Sequence, residues 1–127
     1  MPDMKLELVP VPVSDIDRAK AFYVEKVGFN LDHDVRVNDT VRVVQLTPPG
    51  SACSIVIGTD MGEISAMPPG SVKALHLVVA DVSKVREILA GRGVEVGEID
   101  DLGGIKYVRF SDPDGNSWLL QEIPARS

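Results

Sequence analysis

The chain has 127 residues, 44% hydrophobic and 25% charged, the size and composition of one compact domain, which excludes a coiled coil, a collagen-like rod or a disordered tail. Thirteen Lys and Arg against 19 Asp and Glu leave a formal charge of −6, and only 5% of residues are aromatic, which disfavours non-specific nucleic-acid binding and anionic membranes. No apolar run approaches the roughly 20 residues that span a bilayer. The opening Met1-Pro2-Asp3-Met4-Lys5 leads into no long apolar stretch, so a soluble, cytoplasmic protein is expected.

Leu6 to Val13 alternates apolar residues and ends at Ser14-Asp15, after which Ile16, Ala19, Phe22 and Tyr23 recur at helical spacing up to Gly28. The pattern predicts a strand, an N-cap, an amphipathic helix and a glycine stop. Phe29–Val37, Thr40–Thr47 and Cys53–Thr59 follow as strands, with turns at Asn38-Asp39 and Pro48-Pro49-Gly50. Residues 60–72 form a linker rich in Gly, Pro, Met and Ser. From Lys73 the order repeats: strand to Ala80, cap at Asp81, helix face Val82, Val85, Ile88 and Leu89, stop at Gly93. Val94–Ile99, Ile105–Ser111 and Asn116–Ile123 are the strands that follow, separated by Leu102-Gly103-Gly104 and Asp112-Pro113-Asp114-Gly115. A shift of 66 places Asp15 on Asp81, whereas Gly28 meets Gly93 at 65, so the first helix region is one residue longer.

Each half therefore reads β-α-β-β-β, module one over 5–59 and module two over 73–124, in a single α+β domain spanning 1–127. One such half is too small to bury both faces of its sheet, so the two are expected to pair around a cavity. Pro10 and Pro12, two apart, lack N–H groups on one side of the first strand, which makes that strand an open sheet edge.

The run Val11-Pro12-Val13-Ser14-Asp15-Ile16-Asp17-Arg18-Ala19-Lys20-Ala21-Phe22-Tyr23 followed by Val27-Gly28-Phe29 resembles the opening of the vicinal oxygen chelate superfamily. Leu75-His76-Leu77-Val78-Val79-Ala80-Asp81-Val82 and Phe110-Ser111-Asp112-Pro113-Asp114-Gly115-Asn116-Ser117-Trp118 resemble its second-half signatures. That group contains glyoxalase I, extradiol dioxygenases, fosfomycin-resistance enzymes and bleomycin-resistance proteins. The resemblance implies two βαβββ modules whose curved, mixed sheets enclose a cavity, and commonly a homodimer.

It also implies where a metal would be held. Metal-using members place a His seven residues before the helix-capping Asp of each half, which here gives Leu8 and Ala74, and a Glu on the last strand, which here is Leu119. Ser51 to Thr59 contains no His, Asp or Glu. An open catalytic site needs about three protein ligands, so neither a metal nor another cofactor is expected.

The remaining polar candidates have competing readings. His76 should share the inward face with Ala74, and Gln121 with Leu119, either as hydrogen-bonding groups for a ligand, with His76 also a candidate acid/base residue, or as satisfied sheet residues. Strict alternation would put Asp32 and Asp34 opposite His33 on a solvated strand, which prevents the three from converging on one ion. Asp112, Asp114 and Asn116 read as a turn rather than a calcium loop, and Cys53 as a small buried apolar residue. Glu122 faces out or toward a helix; Arg42 and Arg109 either clamp a carboxylate or belong to a solvated face.

The expected cavity wall is Leu8, Pro10, Ala74, His76, Leu119 and Gln121. The expected role is metal-free binding of a small, largely apolar or aromatic molecule, such as an antibiotic or metabolite that is sequestered. The alternative is an enzyme of the lyase, isomerase, cyclase or dioxygenase type, working through unusual metal ligands or through His76.

Overall fold

A computed structural model describes residues 1–124. It contains two four-stranded mixed sheets, ordered β1-β4-β3-β2 and β5-β8-β7-β6. The first comprises β1 (Leu8–Pro10), β2 (Asn30–Arg36), β3 (Arg42–Thr47) and β4 (Ser54–Thr59). The second comprises β5 (Leu75–Val78), β6 (Asp100–Leu102), β7 (Ile105–Ser111) and β8 (Ser117–Glu122). In each sheet the first strand runs parallel to the last and the other pairs are antiparallel. The βαβββ repeat is therefore present in both halves.

Asp15 and Asp81 cap equivalent helices, accepting from the Arg18 and Lys84 amides at 3.0 and 3.1 Å. The helices differ in how they end. α1 (Ile16–Ala21) continues as a π-helical turn over Phe22–Val27, closed when the Tyr23 carbonyl accepts from the Gly28 and Phe29 amides. α3 (Val82–Gly91) stays α-helical until Gly93. A π turn takes up one extra residue, which accounts for the 66-versus-65 offset in the repeat. Gly28 and Gly93, at φ 90° and 84°, both adopt the left-handed conformation that stops a helix. The linker holds a short helix, α2 (Glu63–Ala66).

Three strands depart from the sequence expectation in extent, existence or register. β1 is confined to Leu8–Pro10, and among the described residues its only ladder partner is β4. The Val11 amide donates to the Val56 carbonyl, leaving the proline nitrogens on the free edge, as the missing N–H groups require. Val94–Ile99 is not a strand: the Val94 amide still closes the end of α3 on the Leu89 carbonyl, and Val96 makes only an isolated bridge to Phe110. Pairing begins at β6, which returns through Gly103 and Gly104, both at positive φ, as a tight hairpin to β7 requires. In β2 the register slips between Leu31 and His33. That bulge at Asp32 breaks the expected alternation.

One core joins the modules. Val44, Leu46, Ile55 and Ile57 from the inner face of the first sheet and Val108, Phe110, Trp118 and Leu120 from the second pack with the helices between them. Phe22 and Tyr23 both reach this core, and Tyr23 and Phe29 meet Trp118 with ring centroids 5.8 and 5.5 Å apart.

Candidate ligand-binding site

The Asp112–Asn116 turn is the joint between the modules. Asp112 Oδ1 accepts from the amides of Asp114 and Asn116, which shapes the turn, while Oδ2 accepts from the Tyr23 hydroxyl at 2.8 Å. Tyr23 also accepts from Trp118 Nε1 at 3.0 Å, and Asn116 Nδ2 donates to the Pro12 carbonyl at 2.8 Å. Burial and the Asp112 carboxylate push the Tyr23 phenol well above its ordinary pKa, so it stays a donor. Sequence reading identified the turn but not this latch, because the partner residues lie about 90 to 100 positions apart.

The faces turned away from the helices carry the candidate site residues. On the second sheet, ladder partners share a face, so His76, Leu119 and Arg109 form one row and Val78, Gln121 and Tyr107 the next. The His76 and Tyr107 rings meet edge-on at 6.0 Å, and Gln121 Nε2 donates to the Tyr107 hydroxyl at 3.4 Å. His76 Nδ1 is 2.7 Å from the Ala74 carbonyl. Ala74 itself lies just before β5 with φ 60°, so alternation does not align its side chain with that of His76; its carbonyl, rather than its methyl, addresses the ring. Tyr107 was missed from sequence although it stands two residues from Arg109, because only the β7–β8 register sets it beside Gln121.

On the first sheet, Leu8 and Pro10 share the outer face with Ser54 and Val56. Gln45 Nε2 donates to Ser54 Oγ at 3.2 Å, Ser54 lies 2.6 Å from Thr47 Oγ1, and Thr47 donates to the Asp32 carboxylate. Since the Thr47 proton goes to Asp32, Ser54 donates to Thr47, giving a directed chain from Gln45 to a carboxylate. The bulge thus turns Asp32 to the same face as His33, whose partner is Gln45, and only Asp34 points to the helix side. There Asp34 binds Arg42 through two 3.0 Å contacts and Lys20 at 2.6 Å. These cations hold the Asp34 carboxyl well below the usual carboxylate range. Arg42 also meets Asp17 at 2.9 Å and is 8% exposed, so it is neither a ligand clamp nor a solvated residue. Glu122 faces a helix, its Oε1 accepting from the Val82 amide at the start of α3.

A cleft of about 240 Å³ opens between the modules where β1 and β5 approach; Leu6, Val9, Cys53, His76, Leu77 and Trp118 line it. Its module-one wall is thus built from Val9 and its neighbours, whereas Leu8 and Pro10 stand on the outer face of their sheet. Cys53 is only partly buried there. A larger cavity of about 500 Å³ lies on the helix side, between the π turn and Val94–Gly97, and of the polar candidates Arg109 and Asp112 line it.

The side chains of Leu8, Ala74 and Leu119 have no donor atoms, and among the described residues no three His, Cys, Asp or Glu side chains group closely enough to hold an ion. The donor set does not fit the metal site the superfamily resemblance implies.

The two βαβββ modules and their shared core define the architectural class, and comparison with known proteins gives the family. Residues 5–120 match the family model of the Glyoxalase/Bleomycin resistance protein/Dioxygenase superfamily. The chain belongs to that superfamily. It is 32% identical over 118 residues to the uncharacterized protein YetH of Bacillus subtilis (strain 168), covering 90% of this chain and 94% of that one. Among solved structures it is similar to TnmS3, an antibiotic binding protein from Streptomyces sp. CB03234, at 37% identity and TM-score 0.86, over 98% of this chain and 99% of that chain. A glyoxalase/bleomycin resistance protein from the same Streptomyces strain matches at 39% identity and TM-score 0.78, over 91% and 98% of the respective chains.

Proposed function

We propose that this protein binds a small, largely apolar or aromatic molecule on the outer face of its second sheet and sequesters it without chemical change or a metal. The carrying observation is the composition of that face: Val78 is 66% exposed and Leu119 half-buried, and a few polar groups, His76, Gln121, Tyr107 and Arg109, stand among them. Apolar contact supplies affinity by desolvation, and sparse polar groups set orientation. Similarity to an antibiotic binding protein over nearly the whole chain supports the same reading. Leu8 and Pro10 on the first sheet complete the wall in a homodimer, where a second copy brings its outer faces against these. The working compartment is the cytoplasm, and the acidic charge of −6 keeps nucleic acid from being a partner. Among the described residues no helix is long and apolar enough to cross a membrane.

Calorimetric titration with polycyclic aromatic probes, anthracene-9-methanol and 2-naphthol, tests the reading. Saturable binding with one probe per site and dissociation constants in the micromolar range is expected, with the recovered probe unaltered. No saturable binding of either probe overturns it, and conversion of a probe, lost in His76→Ala, replaces it with the enzymatic alternative.

A further inference from the structure

Ala74 is one of two described non-glycine residues at positive φ, a conformation that strains an L residue. Two hydrogen bonds hold it there: its amide donates to Ser117 Oγ at 2.8 Å, and its carbonyl lies 2.7 Å from His76 Nδ1. The second bond decides the tautomer of the neutral imidazole. A carbonyl has no proton to give, so Nδ1 must carry the hydrogen, and the neutral ring then has its lone pair on Nε2. Among the described residues Nε2 has no hydrogen-bond partner, and the residue is exposed on the outer face. Beside it the Tyr107 ring stands edge-on, and Leu119 and Val78 provide an apolar floor.

We propose that the strained Ala74 carbonyl fixes His76 as a hydrogen-bond acceptor, and that the ligand class this site selects is the hydroxylated aromatic, whose O–H donates to His76 Nε2 while its ring lies on Leu119 and Val78. The inference rests on the sequestration reading above and specifies the chemistry of that same site. An aromatic ether of equal size keeps the apolar contact but offers no proton, leaving Nε2 without a partner. The site therefore distinguishes the two by about the worth of one hydrogen bond, roughly tenfold in affinity. His76 is the specificity-determining residue; Ala74 positions it.

The test compares 2-naphthol with 2-methoxynaphthalene on the full chain at neutral pH, beside nitrogen NMR of the imidazole. The expected result is a protonated Nδ1 and an unprotonated Nε2 in the free protein, and naphthol binding about tenfold tighter than the ether. His76→Asn keeps a donor for the Ala74 carbonyl but has no atom in the place of Nε2. It should bring naphthol to the level of the ether, with an unchanged far-ultraviolet dichroism spectrum as the folding control. Equal affinities in the parent protein, or a proton on Nε2 instead of Nδ1, overturn the inference while leaving sequestration standing. Binding of neither compound overturns the inference, and overturns sequestration as well when anthracene-9-methanol also fails to bind.

Discussion

Tyr23 is the residue on which the joint between the modules turns. Its hydroxyl gives its proton to Asp112 and receives one from Trp118, and the side chain is fully buried. Tyr23→Phe would leave the ring contacts in place while Asp112 Oδ2 keeps only Asn116 and Trp118 Nε1 loses its partner. The expected cost is about 1–3 kcal/mol, read as a lower denaturation midpoint at unchanged slope; an unchanged midpoint would show that the latch is not a stabilising element. The parent protein should also lose stability in alkali. The folded pKa of Tyr23 lies above its unfolded value, so this contribution is fully present below about pH 10 and declines above it as the unfolded chain ionises. Tyr23→Phe should flatten that alkaline limb, a comparison that denaturant melts at pH 9 and 11 make directly.

At the scale of elements, β2 shows what local sequence could and could not convey. All seven of its residues are exposed, so no apolar pattern fixes its register. Asp34 does so instead, tying the strand to α1 through Lys20 and to β3 through Arg42. Asp34→Asn should cost about 0.5–1 kcal/mol, the range of a partly exposed ion-pair network. Because the folded pKa of Asp34 is depressed, its contribution is present above about pH 4 and is lost as pH falls further. The variant should therefore fall further below the parent in melts near pH 6 than in melts near pH 2, where part of the contribution has been lost; an equal difference at both values would mean that charge is not the cause. The caps at Asp15 and Asp81, the glycine stops and the proline-blocked edge were legible because each is a local event with its own residue type. The bulge at Asp32 and the late start of β6 were not, since both depend on which carbonyl a distant strand or helix end offers. The candidate site divides the same way: alternation put His76 and Gln121 on one face, whereas the Tyr107 contact and the left-handed Ala74 needed the register and the backbone itself.

For the whole molecule, surface area bears on assembly. A compact 13.7 kDa monomer exposes about 6,600 Å², whereas this chain exposes 7764 Å². The exposed segment from Met1 to Glu7 contributes to the difference, and so do Val35, Val37, Val78 and Leu102, which lie on strands or beside them. The excess of about 1,200 Å² compares with roughly 800 Å² per partner in a standard interface. Ladder extension is a poor way to cover it. Proline occupies the free edge of β1, a bulge and alternating charge interrupt β2, and the edge strands of the second sheet, β5 and β6, have only four and three residues. Face-to-face packing about a twofold axis remains, and it would place the first sheet's Leu8 and Pro10 opposite the second sheet's His76 and Leu119 from another copy. Sedimentation at 10 µM should accordingly give a species of twice 13.7 kDa. Val78→Asp, which puts a carboxylate on the outer face without touching the core, should shift it toward the monomer while the far-ultraviolet dichroism stays the same. A parent protein that sediments only as the 13.7 kDa monomer at this concentration would confine the binding face to one chain and leave Leu8 and Pro10 outside the site.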